Sequence, residues 1–305
     1  MSELSSKKKF SFLIDFLISN DIKYFLNFNM GDYVSWRVGA TTPIIIYPSS
    51  LKQLSSLIQE IHSLKIKFYL SGNGSNILFV KLSETIIIST KKMNKIHFHS
   101  NGSLTAESGA ALNLVLSKSL KKGLVGFEFS TGIPGTVGGA LITNAGANGG
   151  TISECLESVF FLKNNKEIEV PRDKMDFSYR YSSIKREDII TKAKFQLKEG
   201  DTAKARENIK KYIKHRNNTQ PVEYPSAGSV FMNTEESKAG KIIQDLNLKG
   251  YSIGGAKISE LHGNYIINTG GAKIKDIKTL IEKIKKIVKN KNGMALKTEV
   301  KIVDE

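Results

Sequence analysis

The hydrophobic residues of the chain recur with two spacings, which predict a mixture of helices and strands. Leucines and isoleucines lie three or four positions apart in 51–64, and a pair of serines stands before them as N-cap residues, so a helix is predicted there. The short apolar runs 44–47, 68–71 and 85–88 predict strands on either side of it. The first ninety residues therefore indicate a βαββ arrangement.

The same two spacings continue along the rest of the chain. Strands are predicted over 97–108, 159–170, 189–197, 265–268 and 298–302, and a strand with a turn is predicted over 253–256. Helices are predicted over 112–123, 204–216, 239–246 and 277–293. A rigid turn at Gln220 and Pro221 separates the last third of the chain from the rest.

Residues 126–149 contain seven glycines and one proline among small residues, where an ordinary core element carries bulky side chains. Glycine costs conformational entropy on folding, and it is favoured where φ is positive or where exposed N–H groups hold a phosphate or a ring. A bound dinucleotide fits this composition. The alternative is a glycine-rich turn cluster or a flexible loop.

A second glycine cluster, Gly-Asn-Gly-Ser-Asn at 72–76, lies between the apolar runs 68–70 and 77–80. The residues that follow it are typical of a strand, whereas a P-loop and the Rossmann fingerprint both require a helix at that position. Together with 126–149, roughly sixty residues further on, this cluster predicts one extended cofactor bound by both segments.

Composition limits the class of protein. A chain of 305 residues with 40% hydrophobic content is long enough for two or three subdomains around a sizeable core. The single cysteine, Cys155, excludes a disulfide framework, and without CxxC or HExxH spacing we expect no metal site. No apolar run is long enough to span a bilayer, and the N-terminus lacks the apolar core of a signal peptide, so we expect a cytoplasmic protein.

The chain is strongly basic, with 45 Lys and Arg against 29 Asp and Glu and a formal charge of +16. The lysines are scattered along the chain without interleaved aromatic residues, which is typical of a solvated surface. We therefore expect no nucleic-acid partner and no membrane insertion. A basic cleft would still attract anionic nucleotide ligands.

Several motifs occur together in a fixed order over residues 35–300. They are Ser-Trp-Arg-Val-Gly at 35–39, 72–78, Gly-Ile-Pro-Gly-Thr-Val-Gly-Gly-Ala at 132–140, Asn-Ala-Gly-Ala at 144–147, Tyr-Arg-Tyr-Ser-Ser-Ile-Lys at 179–185, 224–233, His-Gly-Asn-Tyr-Ile-Ile-Asn at 262–268 and Glu-Val at 299–300. Through these residues the chain resembles the UDP-N-acetylenolpyruvoylglucosamine reductase (MurB) family.

The resemblance implies an α+β architecture with two FAD-binding subdomains of the vanillyl-alcohol oxidase (PCMH-like, type-2) fold and a C-terminal α+β substrate-binding domain. Residues 1–92 and 93–216 would form the two subdomains and 217–294 the substrate domain, while a C-terminal strand in 295–305 would return to the first subdomain. The short distance between the Tyr-Arg motif and the Gln-Pro turn resembles the shorter type II branch. A monomer is expected.

The resemblance also implies the ligands. The cofactor would be non-covalent FAD, the hydride donor NADPH, and the substrate UDP-N-acetylglucosamine enolpyruvate. The implied FAD-binding residues are Gly72, Asn73, Gly74, Ser75, Asn76, Ile77, Thr131, Gly132, Pro134, Gly135, Gly138, Gly139, Asn144 and Gly146.

Three residues match the family's catalytic positions. Ser229 would donate a proton; a serine hydroxyl is a weak acid, so it must be held against a strongly basic carbon. Arg180 would bind the substrate carboxylate with its planar fork. Glu299 would be protonated or paired with this arginine, since a free carboxylate repels an enolate. The implied substrate or nicotinamide contacts are Tyr179, Asn233, His262 and Asn264.

Two other functions remain open at this point. Another FAD-dependent oxidase or dehydrogenase of the same fold would share the glycine segments, but it does not need the Tyr-Pro-Ser-Ala-Gly-Ser-Val-Phe turn at 224–231. A basic nucleic-acid-binding protein would bind DNA or RNA in a salt-dependent way and carry no flavin. The second alternative leaves both glycine segments unexplained.

Overall fold

A computed structural model describes residues 5–234 and 236–305. Residues 1–4 and Glu235 lie outside the described residues. The expectation that the N-terminus is not a signal peptide rests in part on those first four residues. The chain divides into two compact units. Unit 1 comprises the residues up to 28 with 42–73 and 84–212, and unit 2 comprises 29–41, 74–83 and 213–305. The three-part division predicted from the family resemblance stays a prediction.

The described residues contain both α-helices and β-strands. The α-helices are α1 Ser6–Ser19, α2 Leu51–Ser63, α3 Leu112–Lys121, α4 Val137–Ile142, α5 Thr202–Thr219, α6 Ala239–Asp245 and α7 Ile274–Asn292. The strands are β1 Lys23–Asn29, β2 Thr41–Tyr47, β3 Lys67–Ser71, β4 Ile77–Phe79, β5 Thr85–Ser89, β6 Ile96–Phe98, β7 Ser103–Glu107, β8 Leu124–Val125, β9 Gly146–Ala147, β10 Gly150–Thr151, β11 Leu156–Lys163, β12 Lys166–Pro171, β13 Phe177–Ser178, β14 Tyr181–Ser182, β15 Ile189–Gln196, β16 Lys198–Glu199, β17 Ser226–Ser229, β18 Ser252–Ile253, β19 Ala256–Ile258, β20 Tyr265–Asn268 and β21 Lys301–Val303. Helices long and apolar enough to cross a membrane are absent from the part of the chain that the structure describes.

The first sheet of unit 1 has the strand order β1-β2-β5-β3, with β5 parallel to both β2 and β3. Parallel strands need a crossover connection, and the predicted helix α2 connects β2 to β3, the two strands on either side of β5. The Ser50 side chain accepts a hydrogen bond from the Gln53 N–H at 3.2 Å, which confirms the predicted N-cap. Apolar residues of α1, α2 and the sheet form one core.

No element is predicted from the sequence over residues 6–29, where the structure has α1 and β1. Leu13 and Leu17 are fully buried and lie four positions apart on the inward face of α1. This spacing is the helical signal that the analysis missed, because only these two residues of the helix are buried and the lysines at 7–9 dominate its first turn.

The second sheet of unit 1 is antiparallel, with the order β12-β11-β15-β7-β6. The prediction of a single strand over 97–108 is wrong, because the chain reverses between β6 and β7 with Gly102 at φ 77°. The β structure predicted over 159–170 is present as a hairpin of β11 and β12. Asn164 and Asn165 both have positive φ there, as a tight two-residue hairpin turn requires.

Unit 2 is built on the antiparallel sheet β17-β20-β19-β18, with α6 and α7 as its helices. The last strand, β21, pairs in parallel with β4, with Lys301 opposite Ile77. It begins three residues later than predicted, while Thr298 forms only an isolated bridge with Phe231.

Trp36 ties the segment 29–41 to β20 within unit 2. Its side chain is completely buried, and the indole Nε1–H donates to the Ile266 carbonyl at 2.7 Å. In return, the Asn268 amide donates to the Trp36 carbonyl at 3.1 Å. A buried tryptophan normally finds a partner for its N–H, and here that partner is the central strand of the sheet.

We predict that Trp36→Phe lowers the free energy of unfolding by about 2 kcal/mol, because it removes a buried donor and leaves a cavity. Urea denaturation followed by circular dichroism measures this change. The control is Ile18→Ala at a position that is 64% exposed, which should change the free energy by less than about 0.5 kcal/mol. Equal effects of the two substitutions would contradict the role given to Trp36.

Candidate active site

The two glycine segments meet inside unit 1. The Asn73 side chain donates to the Pro134 carbonyl at 2.7 Å. Gly72 lies so close to Thr136 that a Cβ on this glycine would overlap the threonine Oγ1. Gly72 is therefore required by contact with the second segment, and both segments contribute to one surface.

The glycines of 132–139 serve different purposes. A Cβ on Gly138 would lie 3.0 Å from the Ser108 Cβ, and its N–H donates to the Ser108 carbonyl at 2.8 Å, so this position is tightly packed. By contrast, a Cβ on Gly135 or Gly139 would meet no atom closer than 3.6 Å. Gly132 has φ 82°, a conformation that favours glycine. The backbone at Gly135 and Gly139 is thus open to a ligand.

Buried oxygen atoms without hydrogen bonds surround this segment. They are Thr131 Oγ1, Thr136 Oγ1 and Asn144 Oδ1. An unpaired buried polar atom costs about 1–3 kcal/mol, so several within one short segment are unusual in a finished core. A polar ligand such as a dinucleotide would give these oxygens partners, and the residues present therefore fit a bound FAD.

The rest of the first glycine cluster belongs to unit 2, where Gly74 has φ 67° and its carbonyl accepts from the Ser35 N–H at 3.1 Å. Ser75 separates it from Asn76, whose side chain donates to the Glu299 carbonyl at 3.4 Å. The Asn76 carbonyl accepts from Lys301 N–H, directly before Ile77 begins β4. The cluster and the end of the chain are therefore joined within unit 2.

Arg180 lies in the two-residue turn between β13 and β14 of unit 1, with the unusual φ of 56° for a side-chain-bearing residue. Its guanidinium donates to the Gly146 carbonyl at 3.2 Å and lies 5.3 Å from the centre of the Tyr179 ring. The Asn144 amide donates to the Ser178 carbonyl at 2.9 Å. Four of the predicted site residues are thus brought together here.

Ser229 is the last residue of β17 in unit 2, opposite Tyr265 of β20. The register between the two strands shifts between Ser226 and Ser229, and Gly228 within this bulge has φ 76°. A Cβ on Gly228 would meet nothing within 4 Å, so the glycine is needed for its backbone conformation rather than for space. Bulges of this kind redirect a side chain, here that of the serine.

Glu299 is held next to the segment that follows Ser229. Its N–H donates to the Val230 carbonyl at 2.8 Å, and the neighbouring Thr298 forms a bridge with Phe231. The predicted proton donor and the predicted terminal glutamate therefore lie on adjacent, directly bonded segments of unit 2.

A cavity of about 280 Å³ opens beside Ser229 within unit 2. Its lining residues are Ser229, Asn233, Lys238, Gly240, Lys241, Gln244, Leu261, His262, Gly263 and Asn264. It brings together four predicted site residues, and it adds two lysines and a glutamine that the sequence analysis missed. The scattered lysines predict a solvated surface, and a basic cleft is expected without named residues, whereas Lys238 directly precedes α6 and Lys241 lies in its first turn.

The protonation state of His262 follows from its contacts. Its Nδ1 accepts from the Asn264 N–H at 3.1 Å, so the proton of the neutral ring is on Nε2. Burial lowers the pKa of His262 below its ordinary value, a backbone hydrogen bond offsets part of this effect, and the charge of Lys249 adds to the lowering. The histidine is therefore a neutral donor at the cavity near neutral pH.

The two asparagines of the cavity are bonded to the backbone. The Asn233 Oδ1 accepts from the Ala239 N–H at 3.1 Å. Asn264 is 4% exposed, and its amide oxygen and nitrogen are both bonded to the backbone of Phe231.

Two family models match the chain in the same order as the two groups of motifs. Residues 42–169 match the FAD binding domain, and residues 220–303 match the C-terminal domain of UDP-N-acetylenolpyruvoylglucosamine reductase. The fold class predicted from the sequence is thereby confirmed.

Similar proteins agree with the family models. The chain is 38% identical over 286 residues to the UDP-N-acetylenolpyruvoylglucosamine reductase of Caldanaerobacter subterraneus, covering 93% of this chain and 94% of that protein. It is 40% identical over 282 residues to that of Clostridium novyi, covering 92% of each. The crystal structure of the Thermus caldophilus reductase superposes with a TM-score of 0.78 at 27% identity, over 93% of this chain and 99% of that one. The chain therefore belongs to the UDP-N-acetylenolpyruvoylglucosamine reductase (MurB) family of FAD-binding oxidoreductases.

Proposed function

We propose that this protein reduces the enolpyruvyl ether of UDP-N-acetylglucosamine enolpyruvate to UDP-N-acetylmuramate, a step of peptidoglycan synthesis, with NADPH as reductant. The observation that supports this most directly is the position of Ser229, aimed by a strand bulge at the rim of a cavity lined with cationic and amide side chains. Family membership supports the same substrate.

The reaction adds two hydrogens across the carbon–carbon double bond of the enolpyruvyl group. NADPH is oxidised to NADP⁺ and gives up a hydride, the π bond breaks, and one carbon gains this hydride while its neighbour gains a proton. Bound FAD supplies the hydride-carrying chemistry that amino-acid side chains lack. The residues that would hold it are those of the two glycine segments, with Thr131, Thr136 and Asn144 as the polar contacts.

Ser229 gives the proton to the carbon next to the carboxylate, and solvent then returns a proton to its oxygen. Because a hydroxyl is a weak acid, the transfer requires a basic carbon and a fixed Oγ position. The backbone around Ser229 meets the second requirement, since the bulge at Gly228 precedes it and bonds to Asn264 and Glu299 follow it.

Charged and polar groups have separate roles in this proposal. Arg180 binds the substrate carboxylate, where negative charge grows as the enolate forms. Glu299 is neutralised by a proton or a cation, because a free carboxylate would repel that enolate. Lys238, Lys241 and neutral His262 offer donors to the diphosphate of the substrate at the cavity.

The overall proposal is tested by the visible spectrum of the purified protein under anaerobic conditions. We expect a flavin band that bleaches with NADPH and returns when UDP-N-acetylglucosamine enolpyruvate is added. A band that bleaches but does not return with this substrate would favour another flavoenzyme of the same fold. A protein that neither contains nor takes up flavin would contradict the proposal.

Ser229→Ala should separate the two half-reactions. We expect bleaching by NADPH to keep its rate within about threefold, while the return of the flavin band slows by a factor of about 10³, because the proton donor acts only in the second step. Stopped-flow absorbance measures both rates. Ser226→Ala, which removes a hydroxyl from the other end of β17, is the control and should slow neither. Equal loss of both half-reactions in Ser229→Ala would refute the role of the serine.

The lowered pKa of His262 predicts a pH dependence. The unfolded histidine titrates near its ordinary pKa, so between the two pKa values the unfolded chain binds more protons and unfolding becomes easier as pH falls. We expect the melting temperature to drop more steeply from pH 7 to pH 5 in the wild type than in His262→Asn, whose amide oxygen can accept from Asn264 without titrating. Parallel curves for the two proteins would contradict this expectation.

A further inference from the structure

Asn264 forms a clamp on the residues that follow Ser229. Its amide Oδ1 accepts from the Phe231 N–H at 2.9 Å, and its Nδ2 donates to the Phe231 carbonyl at 2.8 Å. Its own backbone carbonyl accepts from the Val230 N–H at 2.9 Å. Three hydrogen bonds therefore join one buried residue to the two positions directly after the proton donor.

The clamp begins where the strand pairing ends. β17 finishes at Ser229, opposite Tyr265, and the bulge at Gly228 interrupts its register on the other side. A carboxamide offers one donor and one acceptor side by side, as a peptide unit does, so Asn264 replaces the next rung of the ladder. The backbone of Ser229 is consequently fixed from the Phe231 side.

The same clamp reaches the segment that carries Glu299. The Val230 carbonyl accepts from the Glu299 N–H at 2.8 Å, while the Val230 N–H is bonded to Asn264. Val230 itself is completely buried. Asn264, Val230 and Glu299 therefore form one bonded row beside the cavity, and a shift of Asn264 is transmitted to both predicted catalytic residues.

We propose that Asn264 is a positioning residue that sets the Ser229 hydroxyl for proton transfer, acting through the Phe231 backbone rather than on the substrate. This inference rests on the proposed function, in which Ser229 is the acid. A misplacement of the reacting atoms by about 1 Å can slow a reaction about 10²-fold. Loss of the clamp should therefore slow the proton-dependent half-reaction selectively.

Asn264→Asp is the most informative variant because it conserves shape and removes only the donor. The ionised carboxylate would lie against the Phe231 carbonyl and repel it, whereas the protonated acid would donate to this carbonyl and restore the clamp. Desolvation at a site that is 4% exposed raises the pKa of the introduced acid. The slowing of the proton-dependent half-reaction in Asn264→Asp should therefore become smaller as pH falls.

The matched control is Asn268, a second buried asparagine four positions along the same segment. Its Nδ2 donates to the Trp36 carbonyl at 3.1 Å, and its Oδ1 accepts from Gly270 and Ala272, so its side chain does not bond to the Ser229 segment. Its backbone N–H donates to the Pro225 carbonyl before β17 at 2.9 Å, a bond that a side-chain substitution leaves in place. Asn268→Asp tests what a comparable loss of buried hydrogen bonds does to the protein in general.

The experiment measures, by stopped flow from pH 5.5 to 8.5, bleaching by NADPH and recovery by substrate for wild type, Asn264→Asp, Asn264→Ala and Asn268→Asp. At pH 8 we expect recovery to slow about 10²-fold in both Asn264 variants, with bleaching within about threefold of wild type. In Asn264→Asp, but not in Asn264→Ala, recovery relative to wild type should rise as pH falls. Asn268→Asp should change both rates by the same factor.

Hydrogen exchange of the Phe231 amide provides a readout that does not depend on catalysis. The Phe231 amide should lose its protection from exchange in Asn264→Ala and keep this protection in Asn268→Asp. The inference is overturned if recovery and bleaching fall equally in the Asn264 variants, if Asn268→Asp shows the same selective loss, or if neither Asn264 variant folds. If the wild type is active and Ser229→Ala is slow only in recovery, any of these outcomes refutes the positioning role of Asn264 and leaves the proposed function standing. A wild type that does not reduce the substrate refutes the proposed function and the clamp together.

Discussion

The structure of unit 2 depends on one buried strand, β20, which is bonded on both edges and at both ends. β17 and β19 pair with its two sides, and the Trp36 indole donates to the carbonyl of Ile266 near its middle. Asn264 before the strand and Asn268 at its end bind neighbouring backbone with their amides. Because each of these bonds is buried, none can be exchanged for water at low cost. Ser229 lies on β17, which pairs with β20, and the residues that follow it are bonded to Asn264 and to Glu299.

The glycine segments show that a glycine-rich stretch combines several physical requirements. Gly72 is excluded from carrying a side chain by contact with Thr136, whereas Gly74 and Gly132 are selected by positive φ. At Gly135 and Gly139, a Cβ would meet no atom closer than 3.6 Å, and neither glycine has positive φ. In a site of this kind, some glycines allow two backbone segments to pack closely against each other, and others leave space for the ligand. This mixture explains why the glycines do not follow the regular spacing of a nucleotide fingerprint.

Local signals in the sequence predicted most helices and strands, since α2, α3 and α7 each carry a regular apolar face and a recognisable start or end. The errors arose where a short turn divides an alternating pattern, as at Gly102, or where few residues are buried, as in α1. The motifs and their order predicted the family and the fold. The clamp of Asn264 on Phe231 joins residues 33 positions apart, and no local pattern reports such a bond. The two cavity lysines, Lys238 and Lys241, were not predicted as site residues, because composition does not distinguish a solvated lysine from one that lines a cavity.

Two residues of the candidate site, Arg180 and Asn144, have positive φ although both carry side chains. This conformation costs about 1–2 kcal/mol for a typical residue such as arginine, and asparagine adopts it more readily. Such strain persists only where surrounding bonds compensate for it. The Arg180 guanidinium is bonded to Gly146, and the Asn144 amide to Ser178 directly before the Tyr-Arg turn. Each strained residue therefore holds the segment that carries the other, so the turn and the glycine segment keep their shape as one unit. The turn that carries Arg180 is consequently held by bonds within unit 1, and a ligand that contacts this turn need not spend binding energy on ordering it.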